Sequence, residues 1–147
     1  MSAAPASGAD WSETPPHLLP RPTPDDEPFW AAAGRGELRI QRCSACGLHQ
    51  HYPRMCCSHC GEDALEWVTA SGRGTVHSYT VIRQNGMPPF CDRVPFVVAL
   101  VDLDEAGARM LAAMPDVAPG DARIGMRVRA AFRPAGEHGF VDFEPEP

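Results

Sequence analysis

From residue 65 onward, apolar and polar positions alternate with the period of two that marks β-strands. LEWVTASGRGTVHSYTVI is a long β-rich run broken at Gly72 and Gly74, where a strand can bend sharply. PFVVALVDL predicts a second strand, with DEAG as turn material after it. ARMLAAM predicts a third, and its Ala and Met content keeps a helix open as the alternative. PDVAPGDARIG is irregular, with room for one helical turn. MRVRAAF sets Met126, Val128 and Ala130 against Arg127, Arg129 and Ala131; PAGEHG then turns the chain and FVDFE closes it. Five strands with the longer connection after the third predict a small, partly open barrel of the OB kind.

The first half reads differently. Residues 1–24 carry Pro5, Pro15, Pro16, Pro20, Pro22 and Pro24 among few large apolar residues, which predicts a disordered or extended leader. Within it, Trp11 and Leu18–Leu19 are expected in solvent. DDEPFWAAAGRG predicts a short helix, capped by Asp25 or Asp26, ended by Gly34 or Gly36, and burying Phe29, Trp30 and Ala33. ELRIQRC alternates again, with Leu38 and Ile40 on one face and Arg39 and Gln41 on the other. The expected organisation is a leader over 1–25, a helix plus cysteine-rich module over 26–66, the barrel over 67–144, and a solvated acidic tail over 145–147.

Charge narrows the function classes. The 147-residue chain has a formal net charge of −6. Five acidic residues against Arg21 place −4 of it in the first 30 residues, so the rest is nearly neutral. All 13 basic residues are arginine. GC-rich codon usage accounts for that, although arginine forks also suit phosphate and carboxylate recognition. No basic stripe appears, which argues against a general nucleic-acid binder. No run of 18 apolar residues occurs, and MSAAPASGADWSETPP has no basic start followed by an apolar run. Neither a membrane span nor a secretory signal is expected, so a reducing, cytoplasmic compartment is the expectation. There, clustered cysteines bind metal more often than they form disulfides.

RCSACGLHQHYPRMCCSHCGE holds five of the six cysteines. Cys43-Ser-Ala-Cys46 and Cys57-Ser-His-Cys60 are two C-x-x-C pairs ten residues apart, each followed by glycine. Two residues between thiolates let one tight turn present both sulfurs to a tetrahedral ion, and the glycine lets the chain leave with positive φ. The expected ligands are Cys43, Cys46, Cys57 and Cys60 around one structural zinc. Iron at the same sulfurs is the alternative, ranked below zinc because no other redox machinery is present. Cys56 is a bystander, since using it would stretch one pair to C-x-x-x-C. His49 and His59 are expected to be solvated, four sulfurs already completing the shell. A closed shell leaves no position for water, so metal catalysis is not expected.

No other catalytic group stands out. Cys91 lies in PPFCDRVPF with nothing to bring His77 to it, and Ser71 and Ser78 lack a nucleophile-elbow context. Phosphate-loop, dinucleotide and HExxH motifs are missing. Asp102 and Asp104 sit at a strand end, where solvation is the ordinary explanation.

The order of FW in a short helix, RCSACG, YPR, CSHCG, LEWV, SGRGTVHSYTV, FVVALVDLDE and IGMRVRAAF resembles a family of acyl-CoA-associated proteins. That family joins a rubredoxin-like zinc ribbon to an OB-fold domain, and the likeness covers residues 26–144. It implies a non-catalytic accessory subunit in a hetero-oligomer with a thiolase-like acyltransferase or aldolase, or with an acyl-CoA hydratase. It matches the four paired cysteines to the metal ligands, Arg54 to an arginine after proline in the ribbon, and Gly72 and Gly74 to the bend before the barrel. Cys56 departs from the usual pattern without disturbing the ligands. Phe29, Trp30 and the loop MPPFCDRVPF are candidate contact surfaces, and Arg73, Arg83 and Arg93 are candidate contacts to coenzyme A phosphates. Single-stranded nucleic-acid binding and rubredoxin-like electron transfer are the readings from other classes.

Overall fold

A computed structural model describes residues 14–147 of the chain. The expectations for Trp11 and for the leader before residue 14 lie outside the described residues. Among the described residues the fold is mainly β, with one α-helix, a three-stranded ribbon sheet and a five-stranded barrel sheet.

Helix α1 is Glu27–Gly34. Asp26 stands at its N-cap, where its carboxylate accepts hydrogen bonds from the Thr23 backbone N–H at 2.6 Å and from Trp30 Nε1–H at 3.3 Å. Burial pushes the Asp26 carboxyl up, but the hydrogen bonds from Thr23 and Trp30 together outweigh it and hold the group below its usual range. Phe29, Ala32 and Ala33 are buried while Trp30 is only half-buried, so Ala32 takes the inner position that the sequence reading gives to Trp30. The chain before the helix is partly docked. Pro16–Leu18 form a 3-10 turn, and Leu18 and Leu19 are half-buried, Leu19 reaching toward Gly136.

Strands β1 (Arg39–Cys43), β2 (His49–Gln50) and β3 (Leu65–Thr69) form an antiparallel sheet in the order β2-β1-β3. Trp67 and Val68 therefore pair with the ribbon, opposite Gln41 and Ile40. Gln41 is buried, not on a solvated face, because β2 and the loop after it cover that side of β1.

The barrel sheet comprises β4 (Arg73–Ile82), β5 (Phe96–Leu103), β6 (Arg109–Met114), β7 (Arg127–Ala135) and β8 (His138–Pro145) in the order β6-β5-β4-β7-β8. The edge strands β6 and β8 lie against each other without a hydrogen-bonded ladder, which gives the partly open OB-fold barrel. ARMLAAM is a strand, because Met110, Ala112 and Met114 all turn into the core. The connection 115–126 contains turns and no helical turn. The C-terminal end is engaged: Pro145 pairs with Val128, and Glu146 makes ion pairs with Arg73 and Arg127.

β5 alternates strictly, with Val97, Ala99, Val101 and Leu103 buried. Its register puts Val81, Val97 and Met114 in one row and Tyr79, Ala99 and Ala112 in another, the β5 and β6 members being buried while Tyr79 is exposed. The outward rows are Ser78, Leu100 and Leu111, then Thr80, Val98 and Ala113. A bulge between Val76 and Ser78 leaves His77 outside the register.

Helix and ribbon fasten to the barrel by close backbone approach. A Cβ on Gly74 would come within 2.6 Å of the Asp102 carbonyl oxygen, so β4 and β5 meet tightly there. Gly107, at φ 96°, lies in the turn between β5 and β6, where a Cβ would come within 2.6 Å of the His49 carbonyl oxygen. The His49 N–H donates to the Ala106 carbonyl at 2.9 Å across the same joint.

Candidate metal centre

The two cysteine turns are built alike. Gly47 N–H donates to the Cys43 carbonyl at 2.8 Å, and Gly61 N–H to the Cys57 carbonyl at 2.9 Å. Cys43 N–H reaches Leu48 and Cys57 N–H reaches Glu62 in the same way, at 2.9 and 2.8 Å. Gly47 and Gly61 have φ of 79° and 85°, the left-handed region that favours glycine. Each turn thus presents one buried sulfur, Cys43 or Cys57, and one exposed, Cys46 or Cys60.

The four sulfurs lie within 4.8 Å of one another. Cys43 Sγ is 3.7 Å from Cys60 Sγ, and Cys46 Sγ is 3.7 Å from Cys57 Sγ. A tetrahedral ion with metal–sulfur bonds of about 2.3 Å requires sulfur–sulfur edges of about 3.8 Å. Two of the edges match such an ion, and the remaining sulfur pairs all lie within 4.8 Å, so the donor set suits it. The electrostatics agree. The Cys57 thiol is pulled down to about 6, first by the Cys60 backbone N–H and then by that of His59, against partial burial. For Cys60 the Glu62 N–H works downward, but burial and the neighbouring sulfurs outweigh it and push the thiol up to about 12. Thiolates this close repel, and all four ionise together only around a cation.

Two buried glutamines brace the segment between the turns. Gln50 Nε2–H donates to Gln41 Oε1 at 2.7 Å, and Gln50 Oε1 accepts from Ser58 N–H at 2.7 Å. Gln41 clamps Arg54 through both its backbone N–H and its carbonyl, each at 2.9 Å. Sequence reasoning missed this pair. The one signal available was polar residues at inward positions of β1 and β2. Cys56 is exposed and outside the sulfur cluster, its carbonyl accepting from Gln50 at 3.4 Å. The two histidines are not simply solvated, since His59 Nε2–H donates to the His49 carbonyl at 3.0 Å beside Gly107.

The three candidate arginines are not brought together. Arg73 begins β4 and pairs with Glu146 at 3.1 Å, whereas Arg83 follows the far end of that strand, roughly 30 Å away at about 3.3 Å per residue. Arg83 and Arg93 flank one loop, residues 83–95, with Cys91 in its 3-10 turn Phe90–Asp92. His77 bonds instead to Asp102, 3.1 Å away, as does Arg109 at 2.6 Å. Asp104 takes a two-pronged bond from Arg127 at 2.7 and 2.8 Å. Both carboxyls are held below the usual range, chiefly by those arginine hydrogen bonds, so they are ion-paired, not merely solvated.

A cleft of about 300 Å³ lies where α1, the ribbon loop at His51–Pro53 and the open seam of the barrel meet. Trp30, Tyr52, Leu111, Ala113 and Phe140 line it, above a paired Arg133 and Asp142. Burial outweighs the Arg133 bond and raises the Asp142 carboxyl. Burial also lowers His51 to about 4, keeping it neutral against the Phe29 ring, 5.0 Å away.

With that geometry in view, family models match in two consecutive pieces. The rubredoxin-like zinc ribbon domain of ChsH2 matches residues 30–66, and its C-terminal OB-fold domain matches residues 67–133. A solved structure described as "Ltp2-ChsH2(DUF35) aldolase" superposes with a TM-score of 0.74 and 37% identity, covering 86% of this chain and 98% of that one. The chain belongs to the ChsH2 (DUF35) family. A DUF35 domain-containing scaffold protein of Methanothermobacter thermautotrophicus is 37% identical over 106 residues, 71% of this chain and 78% of the relative. A probable enoyl-CoA hydratase alpha subunit of Thermomonospora curvata is 42% identical over 118 residues, 79% of this chain. The chain spans only 36% of that hydratase subunit's length. Among the described residues no helix is long and apolar enough to cross a membrane.

Proposed function

We propose that this ChsH2-family chain is a non-catalytic, cytoplasmic subunit that binds and stabilises a thiolase-like acyl-CoA enzyme, an aldolase or acyltransferase. Residues 26–66 act as a zinc-stapled clip and residues 67–144 as the barrel it orients, with β3 crossing that boundary to join the two. Cys43, Cys46, Cys57 and Cys60 hold one structural zinc; iron has the same sulfur geometry and is the alternative. Arg83 and Arg93, which flank one loop, and Arg73, which pairs with Glu146, are the candidate contacts to coenzyme A phosphates.

The observation that carries this reading is the pairing of the polar groups. The carboxylates of Asp102, Asp104 and Asp142 are each bound to arginine, and His77 sits in the first of those pairs, far along β4 from the loop that holds Cys91. The family's solved aldolase assembly supplies the partner class. A hydratase subunit is the second reading, favoured by the match to the hydratase alpha subunit. Oligonucleotide binding fits less well. OB-folds take nucleic acid on their second and third strands, and here β5 and β6 offer Val98, Leu100, Leu111 and Ala113 instead of aromatics among arginines.

The test is co-expression with a thiolase-fold aldolase and, separately, with a hydratase-fold enzyme. Co-purification with raised partner solubility or rate, and no thioester turnover by the chain alone, is the expected result. Turnover by the isolated chain would overturn the reading.

A further inference from the structure

We propose that two copies of this chain pair through the outer edge of β4, at residues 78–82, joining their barrel sheets into one continuous antiparallel sheet. The pairing concerns the chain alone and stands or falls separately from the accessory-subunit reading above.

β4 is 10 residues long, and its two neighbours cover it unequally. β5 runs beside it from Gly74 to Ile82, whereas β7 pairs only with Arg73, Gly74 and Thr75. The connection 115–126 adds one further step at Val76. The Val76 N–H donates to the Met126 carbonyl at 2.9 Å, and the Val76 carbonyl accepts from the Gly125 N–H at 2.8 Å. Beyond that point, among the described residues, no backbone group bonds Ser78–Ile82 from the side away from β5. Alternation says which groups are left open. The Leu103 N–H donates to the Ala108 carbonyl, so odd-numbered residues of β5 bond β6 and even-numbered ones bond β4. Leu100, Val98 and Phe96 face Ser78, Thr80 and Ile82, which leaves the N–H and C=O of Tyr79 and Val81 turned outward with no strand to meet them.

Native sheets blunt an open edge with a charge, a proline or a covering element. Ser-Tyr-Thr-Val-Ile has no charge and no proline, and Tyr79 and Thr80 are exposed. Every residue of it but Ser78 favours strand. Such an edge takes another strand through main-chain hydrogen bonds.

The order of residues along the edge selects the occupant. A two-fold axis beside Thr80 sets Thr80 against Thr80, and Tyr79 of each copy against Val81 of the other. The outward N–H and C=O groups of Tyr79 and Val81 then satisfy one another. Thr–Thr and aromatic–β-branched pairs are favourable cross-strand neighbours, and an isologous contact requires this self-complementarity. Ile82 falls opposite Ser78 and ends the strand, so the second chain turns away toward its own β5 before it reaches the Met126 contact at Val76. An axis at Tyr79 would instead run Ile82 against Val76, whose outer edge is already taken. Five residues at about 3.3 Å each make a seam of roughly 17 Å, short for a permanent interface, so the pair assembles and dissociates with concentration.

The experiment follows the full chain as purified by sedimentation velocity over a rising concentration series, with amide exchange compared at the two ends of the series. Expected are a monomer–dimer equilibrium and slowed exchange of the Tyr79 and Val81 amides at the high end. Thr80→Glu sets like charges face to face at an exposed position and is expected to weaken dimerisation by about tenfold or more. Thr80→Cys with oxidised glutathione is expected to give a disulfide joining position 80 to position 80, identified by peptide mapping, because facing Cα atoms there lie about 4.5 Å apart. Tyr79→Cys is expected to give no link between its own positions, which sit diagonally and beyond disulfide reach. A parent that stays monomeric throughout, with no link between positions 80, overturns the inference and leaves the proposed function standing. A parent dimer that Thr80→Glu leaves unchanged also overturns it. Protection of Tyr79 and Val81 that appears only when a thiolase-fold enzyme is added, with the free chain monomeric, gives the edge to a strand of that enzyme and overturns the pairing of copies.

Discussion

The Ala33 carbonyl oxygen lies where a Cβ on Gly139 would come within 2.5 Å of it. The end of α1 thus rests on the β7–β8 hairpin backbone to backbone, with a second close approach from Gly34 to the Glu137 carbonyl. Backbone cannot swing aside as a flexible side chain can. Gly139→Ala is expected to destabilise the chain by about 1 to 3 kcal/mol, as overpacking does. A denaturant midpoint lowered with unchanged slope checks it; an unchanged midpoint would show that the helix is free to lift off the hairpin.

The buried amides of Gln41 and Gln50 make a second prediction. Gln41→Leu removes both partners of the Arg54 backbone and one partner of Gln50, leaving buried polar groups unpaired. A loss of about 2 to 4 kcal/mol is expected. The loss should be accompanied by faster exchange of the amides around residues 52–58, while the barrel amides stay protected.

Much of this was legible in advance, for identifiable reasons. The paired cysteines declare themselves because thiolate turns need a fixed spacing and a glycine exit, both local properties. The five barrel strands follow from alternation at Val97–Leu103 and Met110–Met114, which reports a single buried face. Gln41 was misplaced because alternation says which residues share a face, but not that β2 would cover the polar one. Asp102 and Asp104 read as solvated because Arg109 and Arg127 reach them only across strands. The cleft is assembled from α1, the His51–Pro53 loop and β8, so no stretch of sequence contains it. Trp67 and Val68 lie in a run that reads straight into the barrel, and only strand pairing assigns them to the ribbon.

His51 predicts a pH dependence. Burial holds it neutral down to about 4, against about 6.5 when unfolded. The unfolded chain therefore takes up the proton first, and stability falls as pH drops from 6.5 toward 4, by about 3 kcal/mol in all. Protonation of the cysteines adds its own loss in the same direction. The His51 share is isolated by His51→Phe, which is expected to flatten the slope of unfolding free energy against pH over that window. An identical slope in parent and variant would refute it.

The four sulfurs around one ion are tested most directly by elemental analysis joined to unfolding. One zinc per chain is expected in the parent and in Cys56→Ser, less than a tenth of that in Cys57→Ser, and loss of the ribbon's amide protection when a chelator removes the metal. Metal-free chain with a fully protected ribbon, or metal lost from Cys56→Ser and kept by Cys57→Ser, would contradict the account.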